Sequence, residues 1–431
     1  MLPEMTDANF IAIAILISLF LLWKLDLAAT LLNLKVFPEK VPGPLVDVLD
    51  ASALDRSRAY LKANAVFATL RSSISLTALM AFWMFGGFQL IDELSRSWAH
   101  DAPLLSGLIF FASCMVGSML FDLPFSLYDT FVIEEKFGFN RSTAATFWGD
   151  LLKSLLMMAL LGTPIAAAVL WIFQTVPNAW LWAWVVFTMF QLLLTYLAPS
   201  LILPLFNKFT PMPETPLRGK IEALGVKCGF PLDGVFVMDG SKRSTKANAF
   251  FTGFGKRKKI ALFDTLMEKH SDEELLAVLA HEIGHFRRGH IRQRLIVGIL
   301  QTAALFFLLG LATDPHGHFA RLLFDAFGVK LISPQVGIVL FMVLFGPVSR
   351  LLGVMANAWS RRHEFEADAF ANDAIGSPAP LGEALKKLSA DQLSHPSPHP
   401  LRVWLDYSHP PLLERLRAME TSARVSLLIG K

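Results

Sequence analysis

Charge is scarce in this chain. Asp, Glu, Lys and Arg make up 17% of its 431 residues, against about 25% in an average soluble domain. Hydrophobic residues reach 54%, and Phe alone numbers 36. That balance excludes an ordinary water-soluble protein and points to a bilayer. The net charge of +3 is too small to argue for a nucleic-acid partner. Cysteine is scarcer still. Cys114 and Cys228 are the whole complement, so there is no disulfide framework and no thiolate metal site. Any metal must be held by His and carboxylate. Internal repeats and low-complexity tracts are also lacking. The N-terminus has no basic segment ahead of its apolar stretch and no small-residue cleavage site close behind it, so that stretch reads as a first membrane span rather than a cleavable signal.

Long apolar runs are what the chain has instead. A helix crossing a bilayer needs about 20 such residues. Seven segments meet that need: residues 10–34, 72–91, 103–121, 154–173, 179–199, 295–312 and 335–358. Lys24 and Asp26 interrupt the first, and Arg350 the last. The N-terminus and the even-numbered loops carry chiefly Arg96, Arg321 and Lys330. The other side carries Lys35, Lys40, Arg56, Arg58, Lys62, Lys136, Arg141, Lys208, Arg287, Arg288, Arg292, Arg361 and Arg362. Basic loops stay in the cytoplasm, which predicts a cytoplasmic fifth loop and an N-terminus on the opposite face.

The expected organisation is a membrane region at 1–206, a polar insert at 207–294, two further spans at 295–358 and a C-terminal part at 359–431. The insert reads as a small α+β unit. Residues 215–225 form an amphipathic helix and 234–237 a strand. Residues 247–251 and 259–263 form two strands around Gly253-Phe254-Gly255, a hairpin signature. Ser271 with Glu274 three residues on is a capping box, which starts a helix at that point. A second helix follows Trp359, then a loop rich in Pro, His and Ser, and a last helix at 411–419.

The helix begun at Ser271 carries His281-Glu282-Ile283-Gly284-His285. Positions i and i+4 share one helical face, so both imidazoles can reach one metal. Glu282 is placed to touch a water bound there. Two His ligands and an adjacent base are the minimum apparatus of a zinc peptidase. Zinc needs a third protein ligand. A metzincin-type extension fails, because Arg288 occupies its Gly position and Ile291 its His position. His290 is one residue off and reads as a solvated residue or a support to a ligand. A downstream carboxylate remains. Glu364 and Asp368, in Arg361-Arg362-His363-Glu364-Phe365-Glu366-Ala367-Asp368, are i,i+4 on one face. Glu364 can bind the ion, and Asp368 can accept the outer N–H of a ligand His. Glu366 points to another face and is the weaker alternative, and His363 could compete.

With those residues in view, the chain resembles the Ste24-type CAAX prenyl proteases, a branch of the M48 zinc metallopeptidases. The likeness rests on HEIGH, SRRHEFEADAFA and YSHPPLLERL, together with Ser126–Asn140, Ile202–Pro211 and Asn248–Thr265. It covers about residues 20 to 425, whereas HExxH alone is shared with many peptidases. The resemblance implies a predominantly α, polytopic membrane protein. About seven transmembrane helices would form a barrel around a hydrated chamber, with a small gluzincin-like α+β domain holding one Zn²⁺ at one end. It implies that Asn248 and Ala249 lie on an edge strand that pairs with substrate backbone, a mode of peptide recognition by strand addition. It also implies that His409 stabilises the oxyanion and that Arg415 supports substrate or site geometry. His395 and His399 match no such role and read as loop residues.

The expected activity is zinc-dependent endopeptidase cleavage, with removal of C-terminal tripeptides from prenylated proteins as the leading substrate class. Wider proteolysis of membrane-associated polypeptides is the alternative. A non-catalytic transporter or scaffold is disfavoured, because structural zinc needs no base beside it. Expected partners are a polypeptide substrate and the lipid bilayer. The expected location is the inner membrane in a bacterium or the endoplasmic reticulum in a eukaryote, with the catalytic face cytoplasmic.

Overall fold

A computed structural model of the protein describes residues 6–254 and 257–429. Seven helices in it are long and apolar enough to cross a membrane. In chain order α1 is Asp7–Lys35, α2 Ala51–Met84, α3 Pro103–Glu134, α4 Ala144–Thr175 and α5 Ala179–Phe206. The polar insert then contributes β1 (Phe209–Pro211), α6 (Pro216–Lys227), β2 (Leu232–Met238), β3 (Ala249–Phe254), β4 (Arg257–Phe263) and α7 (Asp272–Arg287). The last two spans are α8 (His290–Thr313) and α9 (Pro334–Ile375). The chain ends with α10 (Ala379–Asp391), α11 (Pro400–Asp406) and α12 (Leu412–Ile429).

The spans are all longer than their apolar stretches. α2 begins at Ala51, not near residue 72, because Arg56, Arg58 and Lys62 ride a helical extension beyond the apolar segment. Gly86, at φ +74°, stops that helix and starts a short one at Gly87–Trp98, so the segment expected at 72–91 is split. The larger departure is in α9. The sequence places a break near residue 358, yet span and following helix are one continuous element of 42 residues. Three wide π-helical turns, Asp129–Glu134, Met158–Gly162 and Ala198–Ile202, lie within α3, α4 and α5. The last contains Pro199, whose missing N–H removes a helical hydrogen bond.

Packing is concentrated at the two ends of the bundle. At one end Ile15, Trp83, Phe110, Leu170, Phe306, Phe324 and Val336 form one apolar cluster. At the other, the sheet and helices of the insert pack on the C-terminal helices, with Ile221, Ile260, Leu262, Leu275 and Leu279 in one cluster with Leu381 and Leu416. Between them lie polar pairs. Arg71 Nη2 is 2.8 Å from Asp122 Oδ1, with side chains 43% and 48% exposed. Arg350 Nη2 reaches Asp26 Oδ1 and Asp406 Oδ1, both at 2.7 Å. Half-exposed charges on membrane helices are costly against lipid and inexpensive against water. Asp26, Arg350 and Asp406 line a cavity of 330 Å³ between the helices, and the same helices expose Phe, Leu and Val side chains.

The sheet has four strands in the order β1-β2-β4-β3. β2 and β4 are parallel, and β3 is antiparallel to β4 with Ala249 opposite Leu262. β1 has no counterpart in the sequence reading, since three residues are too short for a period-2 pattern. The turn glycine Gly255 of the expected hairpin lies outside the described residues.

Candidate metal centre and active site

α7 is anchored before its catalytic residues are reached. The Ser271 hydroxyl accepts from the Glu274 N–H, and the Glu274 carboxylate accepts from the Ser271 N–H. Glu274 also takes Lys387 Nζ from α10 at 2.7 Å and His270 Nδ1 at 2.9 Å. Together these partners outweigh burial and hold its carboxyl below the usual carboxylate range. Further along, α7 lies against α9. A Cβ on Gly284 would stand 3.2 Å from the Ala367 backbone, so the glycine of the HEIGH motif permits the close approach of two ligand-bearing helices.

That approach brings three donor atoms together. His281 Nε2 and His285 Nε2 face each other at 3.2 Å. Glu364, 2% exposed on α9, turns Oε2 to His281 at 3.4 Å and Oε1 to His285 at 3.3 Å. Ligands bound tetrahedrally at zinc's usual 2.0–2.1 Å stand about 3.3–3.4 Å apart. The observed triangle has that size, and its buried Glu364 Oε2 has no hydrogen-bond donor. Among the described residues, these three form the group able to hold a metal ion. The electrostatics agree. Burial opposes protonation of His281, yet Asp368 and then Glu364 overcome it and hold the ring up at about 9.

The outer atoms of the two imidazoles are also accounted for. His281 Nδ1 is 2.8 Å from Asp368 Oδ1. Asp368 is gripped in turn by Arg415 of α12, through Nε at 2.8 Å and Nη2 at 2.6 Å. Arg415 is buried and bidentate, which commits its guanidinium to the geometry of the centre. On the other side, His285 Nδ1 meets His290 Nδ1 at 3.0 Å. His363 is buried with its ring stacked on His290, centroids 3.8 Å apart, and takes no part in the triangle. Glu366 lies with His290 and Arg362 instead. Glu282, one residue round from His281, is half-buried. Burial pushes its carboxyl above the usual range, against the pull of the two histidines.

His409 enters from the loop before α12, with Nε2 3.5 Å from Glu364 Oε1 and Nδ1 3.0 Å from Ser408 Oγ. Partial loss of water holds its ring below the ordinary imidazole value. Ser408 lies between two cavities. One, of 660 Å³, is lined by Tyr60, Leu388, His409 and Arg415. The other, of 540 Å³, opens between α8 and α9 beside Val297, Leu352, Met355 and Trp359. Ala249 begins β3, the outer strand of the sheet and a neighbour of α7, and Asn248 immediately precedes it. The Asn248 carbonyl accepts from the Phe263 N–H, so its backbone is tied to β4 on that side. His395 and His399 do no chemistry here. His395 Nε2 meets the Asn33 carbonyl, and both Nδ1 atoms accept backbone N–H groups.

The expected ligands, base and oxyanion donor therefore meet at one place, and the two strand-edge residues lie beside it. The partner of His285 was not specific in sequence. Its signal is Gly289, at φ +73°, which ends α7 and folds the next residue back toward the motif.

Comparison with known proteins covers most of the chain. Residues 31–208 match the CAAX prenyl protease N-terminal family of five membrane helices, and residues 211–423 match peptidase family M48. A CAAX prenyl protease 1 homologue of Oryza sativa is 38% identical, over 88% of this chain and 90% of its own. CAAX prenyl protease 1 of Saccharomyces cerevisiae is 35% identical, covering 90% of each chain. The Homo sapiens homologue is 33% identical, covering 93% of each. The crystal structure of S. mikatae Ste24p superimposes with a TM-score of 0.86 at 34% identity, over 95% of this chain and 98% of that one. The chain thus belongs to the M48 peptidases in their CAAX prenyl protease branch and is a multi-pass membrane metalloprotease.

Proposed function

We propose that the protein is a zinc endopeptidase that cleaves C-terminal segments from prenylated polypeptides at the cytoplasmic end of its chamber. The observation that carries this is the triangle of His281, His285 and Glu364 with Glu282 beside it. A Zn²⁺ held by these residues would supply a Lewis acid for the scissile carbonyl and would make a bound water more acidic. Glu282 accepts a proton from the attacking water and returns it to the leaving nitrogen as the C–N bond breaks. A carboxyl whose pKa lies above the usual range suits both transfers. His409 donates a hydrogen bond to the oxygen that gains negative charge. The strand edge at Asn248 and Ala249 receives extended substrate backbone. Arg415 and Asp368 keep His281 in the tautomer whose Nε2 is free to bind metal.

The substrate class rests on the relatives, which are named as CAAX prenyl proteases. The apolar cavity between α8 and α9 supports it, since a lipid-modified substrate needs an apolar route from the bilayer. The cytoplasmic assignment rests on the basic residues at the catalytic end. The test is hydrolysis of a farnesylated CAAX-type peptide against its unprenylated form, with Glu282→Gln as control. Faster cleavage of the farnesylated peptide is expected. Equal rates would remove the prenyl preference, and undiminished turnover by Glu282→Gln would remove the mechanism.

A further inference from the structure

His290 is the most completely enclosed polar residue near the centre, at 0% exposure, and the mechanism above gives it no task. Its surroundings fix its protonation pattern. His285 turns Nε2 to the candidate metal position beside Glu364 and His281, so with a metal bound at Nε2 the proton of its neutral ring lies on Nδ1. That N–H points at His290 Nδ1, 3.0 Å away, which must therefore accept. The His290 proton then lies on Nε2, and it donates to Glu366 Oε2 at 3.1 Å. Arg362 Nε holds the other Glu366 oxygen at 3.2 Å. With His285 bound to a metal through Nε2 and both rings neutral, only one arrangement of protons satisfies every link of this chain. Rotation of the His290 ring is blocked on its face by His363, stacked at 3.8 Å and 4°.

We propose that His290 and Glu366 are the positioning pair for the metal ligand His285, fixing its tautomer and ring plane from outside the coordination sphere. This rests on His285 being a ligand. The two ligand histidines are then supported differently. His281 meets a carboxylate directly. His285 meets one through an intervening neutral imidazole, whose acceptor atom makes His285 less electron-rich than a direct carboxylate partner would. Outer partners of metal-bound histidines commonly contribute 10–100-fold in metal affinity.

The test uses the full-length protein in detergent, with zinc affinity read by chelator competition and the Co²⁺-substituted protein read by absorption. His290→Leu removes the acceptor at similar volume. It is expected to weaken zinc binding about 10–100-fold and to alter the Co²⁺ ligand-field bands. His290→Asn keeps a short acceptor at the same place and is expected to recover most of the affinity and the spectrum. Thermal unfolding of the metal-free variants separates support of the metal from support of the fold. Unchanged zinc affinity and Co²⁺ spectrum in His290→Leu would overturn the proposal. So would equal losses in the Leu and Asn variants that follow their metal-free stability. His285→Ala, run in parallel, keeps the two readings apart. If it retains zinc, the ligand assignment itself fails. If it loses zinc while His290→Leu behaves as wild type, only the positioning pair fails.

Discussion

Arg415–Asp368 and Arg71–Asp122 have similar closest distances, 2.6 and 2.8 Å, in very different settings. The first lies at the catalytic end with side chains 8% and 2% exposed. The second sits between α2 and α3 at 43% and 48%. Distance alone does not rank them. The buried pair has no water to fall back on, so losing either partner strands a charge. The half-exposed pair is screened, and its partners rehydrate when separated. The two regions answer one constraint in two ways. The catalytic end holds its buried charges against protein partners of opposite sign, and the middle of the bundle leaves its charges half-exposed.

That contrast can be broken or sharpened by substitution. The largest effect belongs to chemistry alone. Glu282→Gln should lower turnover by about 10²–10⁴-fold while elemental analysis still finds the metal. Next, Arg415→Ala leaves Asp368 buried without its guanidinium and should cost about 3–5 kcal/mol, read by unfolding in detergent. Gly284→Val forces side-chain atoms onto the Ala367 backbone and should cost about 1–3 kcal/mol, accompanied by weaker metal retention. Arg71→Ala should cost at most about 1 kcal/mol. An effect as large as that of Arg415→Ala would mean the chamber is dry. The smallest effect appears only in acid. The Glu274 carboxyl is held below its ordinary value, so its contribution is present above the unfolded pKa and is lost as pH falls through the folded one. Glu274→Gln should flatten that part of the stability profile, and an unchanged slope would show that the bonds to Lys387 and His270 contribute nothing.

Much of the centre was legible in sequence because helices turn spacing into geometry. His281 and His285, and likewise Glu364 and Asp368, are i,i+4 pairs, and the structure sets the two pairs face to face. The capping box at Ser271 fixed the start of α7 to the residue. The bond from His285 to His290 was not legible, because it depends on the turn at Gly289 and not on a helical repeat. The unbroken α9 was missed for another reason. Arg350 interrupts the apolar run and Arg361 and Arg362 follow its expected end at 358, but Arg350 finds Asp26 and Asp406, and Arg361 finds the Val403 and Tyr407 carbonyls. Those partners are distant in sequence. Hydropathy sees the charge and not what compensates it.

α9 contains 42 residues, about 63 Å at 1.5 Å per residue. Its first turns pack in the cluster at the far end of the bundle, through Val336 and Phe341, while Glu364 and Asp368 occupy its last third. With no loop between them, that end of the bundle and the candidate metal ligand are joined by one helix, with Pro347 in its interior. A bilayer that thins or thickens and tilts this helix displaces Glu364 against two histidines carried on a different, shorter element. The lipid environment thereby becomes a mechanical input to coordination geometry, and hydrolysis should vary with acyl-chain length even for a substrate held at constant concentration.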